Sequence, residues 1–293
     1  LINGRLDSAY PTIHVIEPRY YGSDKAFINY HAIKDDYGTI IGWQNHHKLA
    51  AILGRHAIRH SFEEVYGKEA KVIIREEVEM SEQQRKAYDQ FEANAILELQ
   101  DEFLSSGGVG GVHALRCRQI MQHPETFGIE HGEVNGKDQR LIIHLVDHYN
   151  AQKPLIIFAV FQPEQERIVE LVNRVGLRPG LINGNVSAPQ RARVDEAFRK
   201  GEIDVMVASP ATAGIGFNWE HVDHIVLTSL DYMDSSFVQG YRRAIRGVRE
   251  KPLRITVLEY KDSIDQRIFQ IVERKSEDAH KVDPTREKLK LRA

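Results

Sequence analysis

The sequence predicts an α/β fold with a parallel, doubly wound sheet, and its second half carries the pattern that predicts it. Strand-like apolar runs alternate there with segments whose apolar residues recur at helical spacing. Leu155–Phe161 is a continuous apolar run bounded by prolines, as expected of a strand that is buried on both faces. The segment from Pro163 to Gly176 then repeats apolar residues at helical spacing and ends at a glycine.

The same alternation continues through the rest of this half. Further runs predict four core strands: Leu181-Ile182, Ile203–Ala208, His224–Thr228 and Arg254–Tyr260. Ser187 predicts the N-cap of a helix that ends near Gly201, and a last helix is predicted around Ile264–Val272. Repeated β–α alternation of this kind favours parallel strands flanked by helices.

Helical patterns dominate the first half of the chain. Residues 45–66, 81–104 and His113–His123 predict helices, while Ala70–Val78 predicts an isolated strand. Ser105–Gly111 predicts a flexible break.

Three regions follow from these patterns. A mainly helical linker or protrusion is predicted at 1–136, since residues 128–138 are polar and rich in glycine, as at a boundary. The α/β lobe is predicted at 137–275. A charged tail is predicted at 276–293, because residues from Lys275 to Ala293 show little apolar periodicity and indicate a solvated helix end or disorder.

Composition excludes several classes of protein. The chain has 293 residues, 42% hydrophobic and 28% charged, as in an ordinary globular protein. A single cysteine, Cys117, excludes an internal disulfide and a cysteine-rich zinc site. No apolar run is long enough to span a bilayer and no signal peptide is evident, so we expect no membrane partner and an intracellular location, in a cytoplasm, nucleoid or nucleus. The chain also begins without Met in mid-pattern, which suggests a piece of a longer protein.

Basic residues are concentrated in one part of the chain. The net charge of −3 means that any surface for nucleic acid must be local, and the run from Arg242 to Arg254 is the candidate. Within it, Gln239–Arg249 is predicted to be helical with Ser235 or Ser236 as N-cap.

A helix over Gln239–Arg249 would have two distinct faces. Gln239, Arg243 and Arg246 share one face, and the opposite face carries Phe237, Tyr241, Ala244 and Val248. Two arginines three residues apart repel each other unless an anion lies between them, and the guanidinium fork matches phosphate oxygens. The alternative is a solvated arginine face that pairs with acidic groups.

A glycine-containing loop is the second candidate for chemistry. Val205–Trp219 (VMVASPATAGIGFNW) is an apolar strand that ends in a loop of small residues with Gly214 and Gly216. Glycines after a strand let backbone N–H groups approach a phosphate, and open α/β sheets bind ligands at the carboxyl ends of their strands. The alternative is a tight turn without a ligand.

In order and spacing these segments resemble the second RecA-like lobe of superfamily-two helicases, and specifically of SWI/SNF-like DNA translocases. The family pattern S-T-K-A-G-G-x-G-x-N is matched at four positions: Ser209, Gly214, Gly216 and Asn218. The pattern Q-A-x-x-R-x-x-R-x-G-Q is matched at Gln239, Arg243 and Arg246. Gly184–Phe198 resembles the family's G-x-x-S-x-x-x-R helix, with Ser187 and Arg191 in register, and His113–Pro124 (HALRCRQIMQHP) resembles its L-R-Q-I-x-x-H-P element.

The sequence departs from the family pattern at several positions. Ala211 stands where the family has lysine, and Ala159 stands where a hydroxyl residue is expected. Tyr232-Met233-Asp234 replaces W-N-P, and Val248-Arg249 replaces the final G-Q. Arg243 and Arg246 are unaffected.

The resemblance implies a P-loop NTPase-type helicase C-terminal lobe, with a RecA-like sheet, in a DNA-dependent ATPase. ATP and Mg²⁺ would be held mainly by an upstream RecA-like lobe of the same protein, because the chain has no G-x-x-x-x-G-K-[ST] motif, and the isolated chain is expected to be inactive. Arg246 would be the arginine finger and Arg243 a second contact to the γ-phosphate, with Gln239 as a polar organiser and Gly214 and Gly216 shaping the ATP-site loop. Double-stranded DNA would be contacted at its phosphates by the following residues: Ser187, Arg191, Ser209, Thr212 and Asn218.

Other readings compete with this one. The pairs His144/His148 and His56/His60 have i, i+4 spacing, but neither belongs to an H-E-x-x-H motif, so no metal site is predicted. A lobe of an unrelated doubly wound enzyme, of the sugar-nucleotide transferase type, would use the arginines to hold a diphosphate. A non-catalytic interaction module would use them to dock an acidic partner.

Overall fold

A computed structural model describes residues 6–38, 40–67, 70–105, 112–129, 135–213, 216–231, 234–245, 247–286 and 289. Its strands are β1 Ala32–Lys34, β2 Ile40–Trp43, β3 Lys71–Val78, β4 Leu155–Phe158, β5 Pro179–Ile182, β6 Val205–Ala208, β7 His224–Leu227 and β8 Leu253–Tyr260. Its α-helices are α1 Tyr10–Ile16, α2 Pro18–Tyr21, α3 Asp24–His31, α4 His46–His56, α5 Phe62–Tyr66, α6 Glu82–Ser105, α7 Val112–Gln122, α8 Gly136–Ala151, α9 Gln162–Val175, α10 Ala188–Arg199, α11 Pro210–Ala213, α12 Asp234–Tyr241 and α13 Ile264–Val282. Leu6–Ala9 and Pro124–Phe127 are 3₁₀ turns.

Six strands form one parallel sheet in the order β3-β8-β7-β4-β6-β5, which confirms the predicted RecA-like α/β fold. Apolar side chains on both faces of the sheet are buried. Helices α8 and α9 cover one face, and α6, α7, α10, α12 and α13 contribute to the core on the other. After β4 the chain forms β5 and β6 on one side of β4, and it then crosses to form β7 and β8 on the other side. The sheet therefore has a topological switch point between β4 and β7.

The prediction of an isolated strand at Ala70–Val78 is wrong. This segment is β3, the edge strand of the main sheet, and it pairs in parallel with β8 along its whole length, from Lys71 opposite Leu253 to Val78 opposite Tyr260. Its partner lies about 180 residues away in sequence, a separation at which local patterns carry no pairing information. The sheet therefore takes one strand from the region assigned to 1–136, and the domain limits themselves stay a prediction.

The prediction that the chain is solvated from Lys275 onward is also wrong for the part that the structure describes. Helix α13 continues to Val282 and packs against α4, with Ser276, Ala279 and Val282 buried. Beyond it, Leu289 is buried and its N–H donates to Ser276 Oγ. Small and β-branched residues spaced among charges gave little periodicity, but they suffice to bury one stripe of the helix once a second helix covers it.

Residues 6–38 and 40–56 form a smaller core with the end of α13. Leu6, Phe27, Trp43 and Leu49 are buried there, and β1 and β2 make a two-stranded antiparallel sheet beside them. No helix among the described residues is both long and apolar enough to cross a membrane.

Candidate functional site

The arginine segment begins in α12, but it is not one helix. The prediction of a helix over Gln239–Arg249 is wrong, because α12 ends at Tyr241 and a turn follows at 242–244. Arg243 N–H donates to Gly240 O and Ala244 N–H to Tyr241 O, which are the three-residue bonds of a tightened last turn. Ser235 and Ser236 lie inside α12, which begins at Asp234, so neither is its N-cap.

The predicted two-faced arrangement holds in part. Phe237, Tyr241 and Ala244 are buried, whereas Val248 is 82% exposed, because the helix that would have turned it inward has already ended. Gln239 is exposed, and Arg243 Nε donates to its carbonyl oxygen at 3.2 Å. Arg246 lies outside the described residues, so its place beside these two stays a prediction.

Helix α12 is seated on the carboxyl end of β4 through a glycine. A Cβ on Gly240 would come within 3.2 Å of the Phe158 ring, and Phe158 is fully buried. A side chain at this position would require the Phe158 ring or the helix to shift by a few tenths of an ångström. Contact with Phe158 at the end of β4 thus sets the distance between the sheet and α12, the helix in which the arginine segment begins.

The glycine-containing loop lies beside this helix. Strand β6 ends at Ala208, and Ser209 O accepts the N–H groups of Thr212 and Ala213, so the short helix α11 starts at once. Helix α11 packs against α12, and Trp219 N–H donates to Arg243 O at 2.7 Å. The structure therefore joins the two segments that the sequence singled out separately.

The predicted residues of this loop differ in accessibility. Ser209 and Thr212 are half-buried, and Gly216 and Asn218 are exposed. Gly216 has a positive φ of 88° with open space where a side chain would stand, as in a turn that glycine favours. Gly214 lies outside the described residues.

Ser187 and Arg191 lie at the same edge of the sheet, where β5 leads into α10. Ser209 N–H donates to Ile182 O at 3.1 Å, which ties the ends of β5 and β6 together. Ser187 caps α10 as predicted, with its Oγ and N–H both donating to Gln190 Oε1. Arg191 Nε donates to Val186 O at 2.7 Å and Nη2 to Gly184 O, so its guanidinium already holds this loop.

A buried carboxylate occupies the switch point between β4 and β7. Glu164, in the first turn of α9, accepts hydrogen bonds from Thr228 Oγ1 at 2.5 Å and Ser229 Oγ at 2.8 Å. Burial raises the pKa of Glu164, while the two hydroxyl donors and the nearby charges of Arg167 and Lys137 act in the opposite direction. The Glu164 side chain therefore occupies the carboxyl edge of the sheet between β4 and β7, where open α/β sheets commonly bind ligands.

A buried lysine extends the polar network across the carboxyl edge. Lys137 Nζ donates to Thr228 O at 2.7 Å and to Asp265 Oδ2 at 2.9 Å, which links α8, β7 and α13. The side-chain amide of Gln122 is oriented so that both of its ends are hydrogen-bonded. Its oxygen accepts from Lys137 Nζ at 2.9 Å, and its nitrogen donates to Thr228 O at 3.0 Å. The strand end that leads to α12 is therefore fixed by partners from three helices.

These segments have counterparts among known proteins. Residues 137–248 match the family model described as the helicase conserved C-terminal domain. This part of the chain is therefore similar to the C-terminal domain of helicases.

Curated relatives agree with this domain assignment. A 117-residue segment is 34% identical to the ATP-dependent RNA helicase DBP3 of Gibberella zeae, covering 38% of this chain and 19% of that protein. Another segment is 24% identical to the DNA repair protein rad8 of Schizosaccharomyces pombe, covering 44% of this chain and 12% of that protein. The matches therefore span well under half the length of these relatives.

Solved structures show the same fold. The C-terminal part of the Fun30 ATPase domain aligns with a TM-score of 0.57 and 15% identity, over 70% of this chain and 90% of that one. The SWI2/SNF2 ATPase core domain of Sulfolobus solfataricus aligns with a TM-score of 0.55 and 15% identity, over 91% of this chain and 56% of that one. The predicted likeness to SWI/SNF-like C-terminal lobes is thus confirmed in fold.

Part of the predicted basic surface of the helicase domain is engaged internally. Arg249 pairs with Asp223 at 2.6 Å, and Arg254 Nη2 donates to His224 Nδ1 at 2.8 Å. Both contacts lie where β7 and β8 begin, at the amino edge of the sheet. Arg242 to Arg254 is therefore not one continuous set of cations facing a ligand.

The histidine pairs of the sequence have structural partners. His144 Nε2 lies 2.9 Å from Glu76 Oε2, His148 Nε2 lies 2.8 Å from His224 Nδ1, and His56 contacts Glu17. Within the described part of the chain, no three His, Cys, Asp or Glu side chains are grouped to hold a metal ion.

Sequence reasoning missed several residues that shape this site. Arg118 Nη2 donates to Leu230 O at 2.6 Å, and with Lys137 and Glu164 it holds the β7–α12 connection. A usable signal was present for Glu164, because it follows a strand and a Phe-Gln-Pro turn at the N3 position of a helix. A signal was also present for Arg118, which is the arginine of the L-R-Q-I-x-x-H-P element at His113–Pro124. None was present for Lys137, whose backbone acceptor, Thr228 O, lies 91 residues away in sequence.

Proposed function

We propose that this helicase C-terminal domain is the second lobe of a DNA-dependent ATPase motor and supplies arginines to an ATP site that it shares with another RecA-like lobe. Arg246 is the arginine finger, Arg243 a second contact to the γ-phosphate, and Gln239 a polar organiser. Gly214 and Gly216 shape the adjoining loop. The other lobe holds most of ATP and Mg²⁺, with the metal neutralising the phosphates.

The observation that carries this proposal is the bond between Trp219 N–H and Arg243 O. It connects the loop that leaves β6 with the turn that follows α12, so a movement of one is transmitted to the other. Gln239 is exposed beside this junction. Such a joint suits a motor lobe, in which ATP contacts and nucleic-acid contacts must move together.

The buried carboxylate of Glu164 supports an ATP site between lobes. It lies at the edge where open α/β sheets commonly bind phosphate. The hydroxyl groups of Thr228 and Ser229 donate to Glu164, so they do not donate to a ligand. A nucleotide is thus disfavoured within this lobe and is better placed against the arginine segment at its surface. The alignment of 91% of this chain with 56% of a SWI2/SNF2 ATPase core is in keeping with a larger motor.

For the nucleic-acid contacts we propose the carboxyl-edge loops of β5 and β6. They bring together on one edge the residues Ser187, Arg191, Ser209, Thr212 and Asn218. Hydroxyl, amide and backbone N–H donors of this kind contact phosphates without reading sequence. We propose double-stranded DNA as the substrate, in line with the fold of the SWI2/SNF2 neighbours.

RNA is the second candidate. The observation that favours it is that DBP3 of Gibberella zeae, 34% identical over its matched segment, and RhlB of Pseudomonas putida, 28% identical, are both named RNA helicases. Duplex DNA and duplex RNA differ in groove shape and in the 2′-hydroxyl, so a lobe that contacts phosphates in a fixed geometry distinguishes them.

ATP hydrolysis tests the role of the arginines. The polypeptide that joins this chain to its first lobe is measured without nucleic acid, with duplex DNA and with duplex RNA. We expect stimulation by duplex DNA, no hydrolysis by the 293 residues alone, and a loss of about 10³-fold in kcat for Arg246→Ala, as for other arginine fingers. The matched control is Arg174→Ala, an exposed arginine in the last turn of α9, which keeps wild-type turnover. Wild-type turnover by Arg246→Ala would refute the arginine assignment, and stimulation by RNA alone would select the second candidate.

Binding tests the nucleic-acid edge independently of hydrolysis. Thr212→Asp places a negative charge beside the expected phosphates and is expected to weaken binding of duplex DNA about tenfold at low salt, with a smaller effect at high salt. The control is Asn150→Asp, an exposed position near the end of α8 at the other edge of the sheet. Equal affinities of the two variants would show that the DNA lies elsewhere.

A further inference from the structure

Three rings and two guanidinium groups form a continuous stack near the carboxyl edge of the sheet. The rings of Phe161 and His123 have centres 5.1 Å apart, and those of His123 and Phe127 have centres 6.0 Å apart. The Arg118 guanidinium lies 5.1 Å from the centre of the Phe161 ring at one end of the stack. The Arg116 guanidinium lies 5.0 Å from the centre of the Phe127 ring at the other end. Rings and guanidinium groups attract each other at these distances.

The stack is buried at one end and exposed at the other. Arg118 and His123 are buried, and Arg118 Nη2 is bonded to Leu230 O. Phe127 is 37% exposed, and Arg116 is exposed as well. The stack therefore reaches the surface in a guanidinium group that has an aromatic ring behind it.

The turn that carries Phe127 is fixed to neighbouring helices by one arginine of α9. Arg167 donates to Glu125 Oε1 at 2.8 Å and to Gln122 O at 2.5 Å. Its Nε also donates to Asp138 Oδ2 at 2.8 Å, at the start of α8. The charge of Glu125 is thereby compensated. The ring of Phe127 is thus held in place by the fold, which lowers the entropic cost of binding a ligand on it.

The stack adjoins the edge that we propose for the DNA phosphates. Phe161 is followed by Gln162, which is exposed and whose Oε1 accepts from Asn185 Nδ2 at 3.1 Å. Asn185 belongs to the loop between β5 and α10, which Arg191 holds through Val186 O at 2.7 Å. A strand whose phosphates lie on this loop therefore passes close to the stack.

We propose that Arg116, backed by Phe127, is a stacking platform for an unpaired base of the DNA whose phosphates lie on the β5–α10 loop. The inference rests on the proposed function and narrows its substrate to duplex DNA that carries a single-stranded part. The guanidinium of arginine is planar, bases stack on such planes, and its charge is complementary to the phosphates. Stacking tolerates any sequence, since every base has a π-face. Lysine in place of Arg116 would keep the charge but lack the plane.

Two DNA probes with identical phosphates test this platform. Both are the same duplex with a single-stranded extension, which carries bases in one probe and is abasic in the other. Affinities are measured without ATP for the polypeptide that joins this chain to its first lobe. We expect the wild type to bind the probe with bases about tenfold more tightly than the abasic probe.

The variants separate stacking from charge. Arg116→Lys should lose most of the preference for bases and change the affinity for the abasic probe less than about twofold. Phe127→Leu removes the ring behind the guanidinium and should reduce the preference in the same direction. The control is Arg174→Lys, at an exposed site on α9, which keeps the wild-type affinities for both probes.

Three results would overturn the inference. They are equal affinities of the wild type for the two probes, a preference for bases that is unchanged in Arg116→Lys, and an equal loss for both probes in that variant. The last would mean that Arg116 serves the phosphates and not a base.

The Thr212→Asp variant distinguishes a failure of the inference from a failure of the proposed function. If Thr212→Asp weakens binding of both probes while Arg116→Lys keeps the preference for bases, the proposed DNA edge stands and the platform alone is refuted. If Thr212→Asp binds both probes like the wild type while Arg116→Lys loses the preference, the platform stands and the proposed edge is wrong. If the wild type binds neither probe, both fail together.

Discussion

Acid should destabilise this domain through one buried histidine, His224. It lies at the start of β7, 3% exposed, with Arg254 donating to its Nδ1 and Thr256 Oγ1 2.9 Å from its Nε2. Because Nδ1 already faces a guanidinium N–H, a proton there would bring two donors together. Burial first, then the charge of Arg254 and the rings of His148 and His144, lower the pKa of His224 to about 2.

The sign and size of the effect follow from this lowered pKa. His224 stays neutral in the folded protein down to far below pH 5, whereas in the unfolded chain it binds a proton below about pH 6.5. Above about pH 7 His224 is neutral in both states, so its lowered pKa has no effect on the free energy of unfolding. As the pH falls, His224 binds a proton only in the unfolded state, which is thereby stabilised relative to the folded state. With about 1.4 kcal/mol per pH unit, the free energy of unfolding drops by about 2 kcal/mol between about pH 7 and about pH 5 from this residue alone.

Urea unfolding at about pH 7 and about pH 5 measures this. His224→Gln is less stable than wild type at neutral pH because it loses hydrogen bonds, but it lacks the titration, so the gap between the two proteins should narrow by about 2 kcal/mol at acid pH. Replacement of the exposed His47 by Gln is the control and keeps the wild-type dependence. A gap that is the same at both pH values would refute the reasoning, since it would mean that His224 is protonated in the fold as readily as in the unfolded chain.

Three further predictions concern packing, and each is measured as the free energy of unfolding in urea. Gly240→Val drives a branched side chain into the ring of Phe158 and should cost about 1–3 kcal/mol, with no loss if α12 can lift from the sheet freely. Gly136→Ala should cost a similar amount despite the better helix propensity of alanine, because its Cβ would overlap the carbonyl of Glu79; a gain in stability would contradict this. Val282→Ala should cost about 2 kcal/mol if the end of α13 is packed, and almost nothing if it is solvated.

The sheet was largely predictable because its strands are short, continuous apolar runs. Strands β4, β6 and β7 are fully buried, so burial on both faces left an unambiguous pattern in the sequence. Strand β3 was recognised as a strand but not as a member of this sheet. Pairing of β3 with β8 depends on the edge that β8 leaves open, and no local pattern reports that edge.

The residues of the candidate site were predictable from the sequence, but the contacts that connect its segments were not. Residue types and spacing pointed to Gln239, Arg243 and the loop after β6, since guanidinium groups and glycines suit phosphate chemistry by themselves. The end of α12 at Tyr241 was not predictable from residue types, and the turn after it is held by a bond between Trp219 N–H and Arg243 O, in which neither side chain takes part. Backbone partners of this kind leave no trace in residue identity.

Arg249 and Glu164 both bear on the proposal that Arg243 and Arg246 serve an ATP site shared with another lobe. Glu164 lies at the switch point, where it is buried and accepts hydrogen bonds from Thr228 and Ser229, so it uses these two hydroxyl groups itself. The Arg249 guanidinium forms an ion pair with Asp223 and donates to backbone carbonyls, so its N–H groups are not available to a ligand. Glu164 and Arg249 thus have their hydrogen-bond partners within the chain. Under the proposed function, the anion that Arg243 and Arg246 bind is held by a second surface that closes on this one, and turnover is expected to depend on that closure.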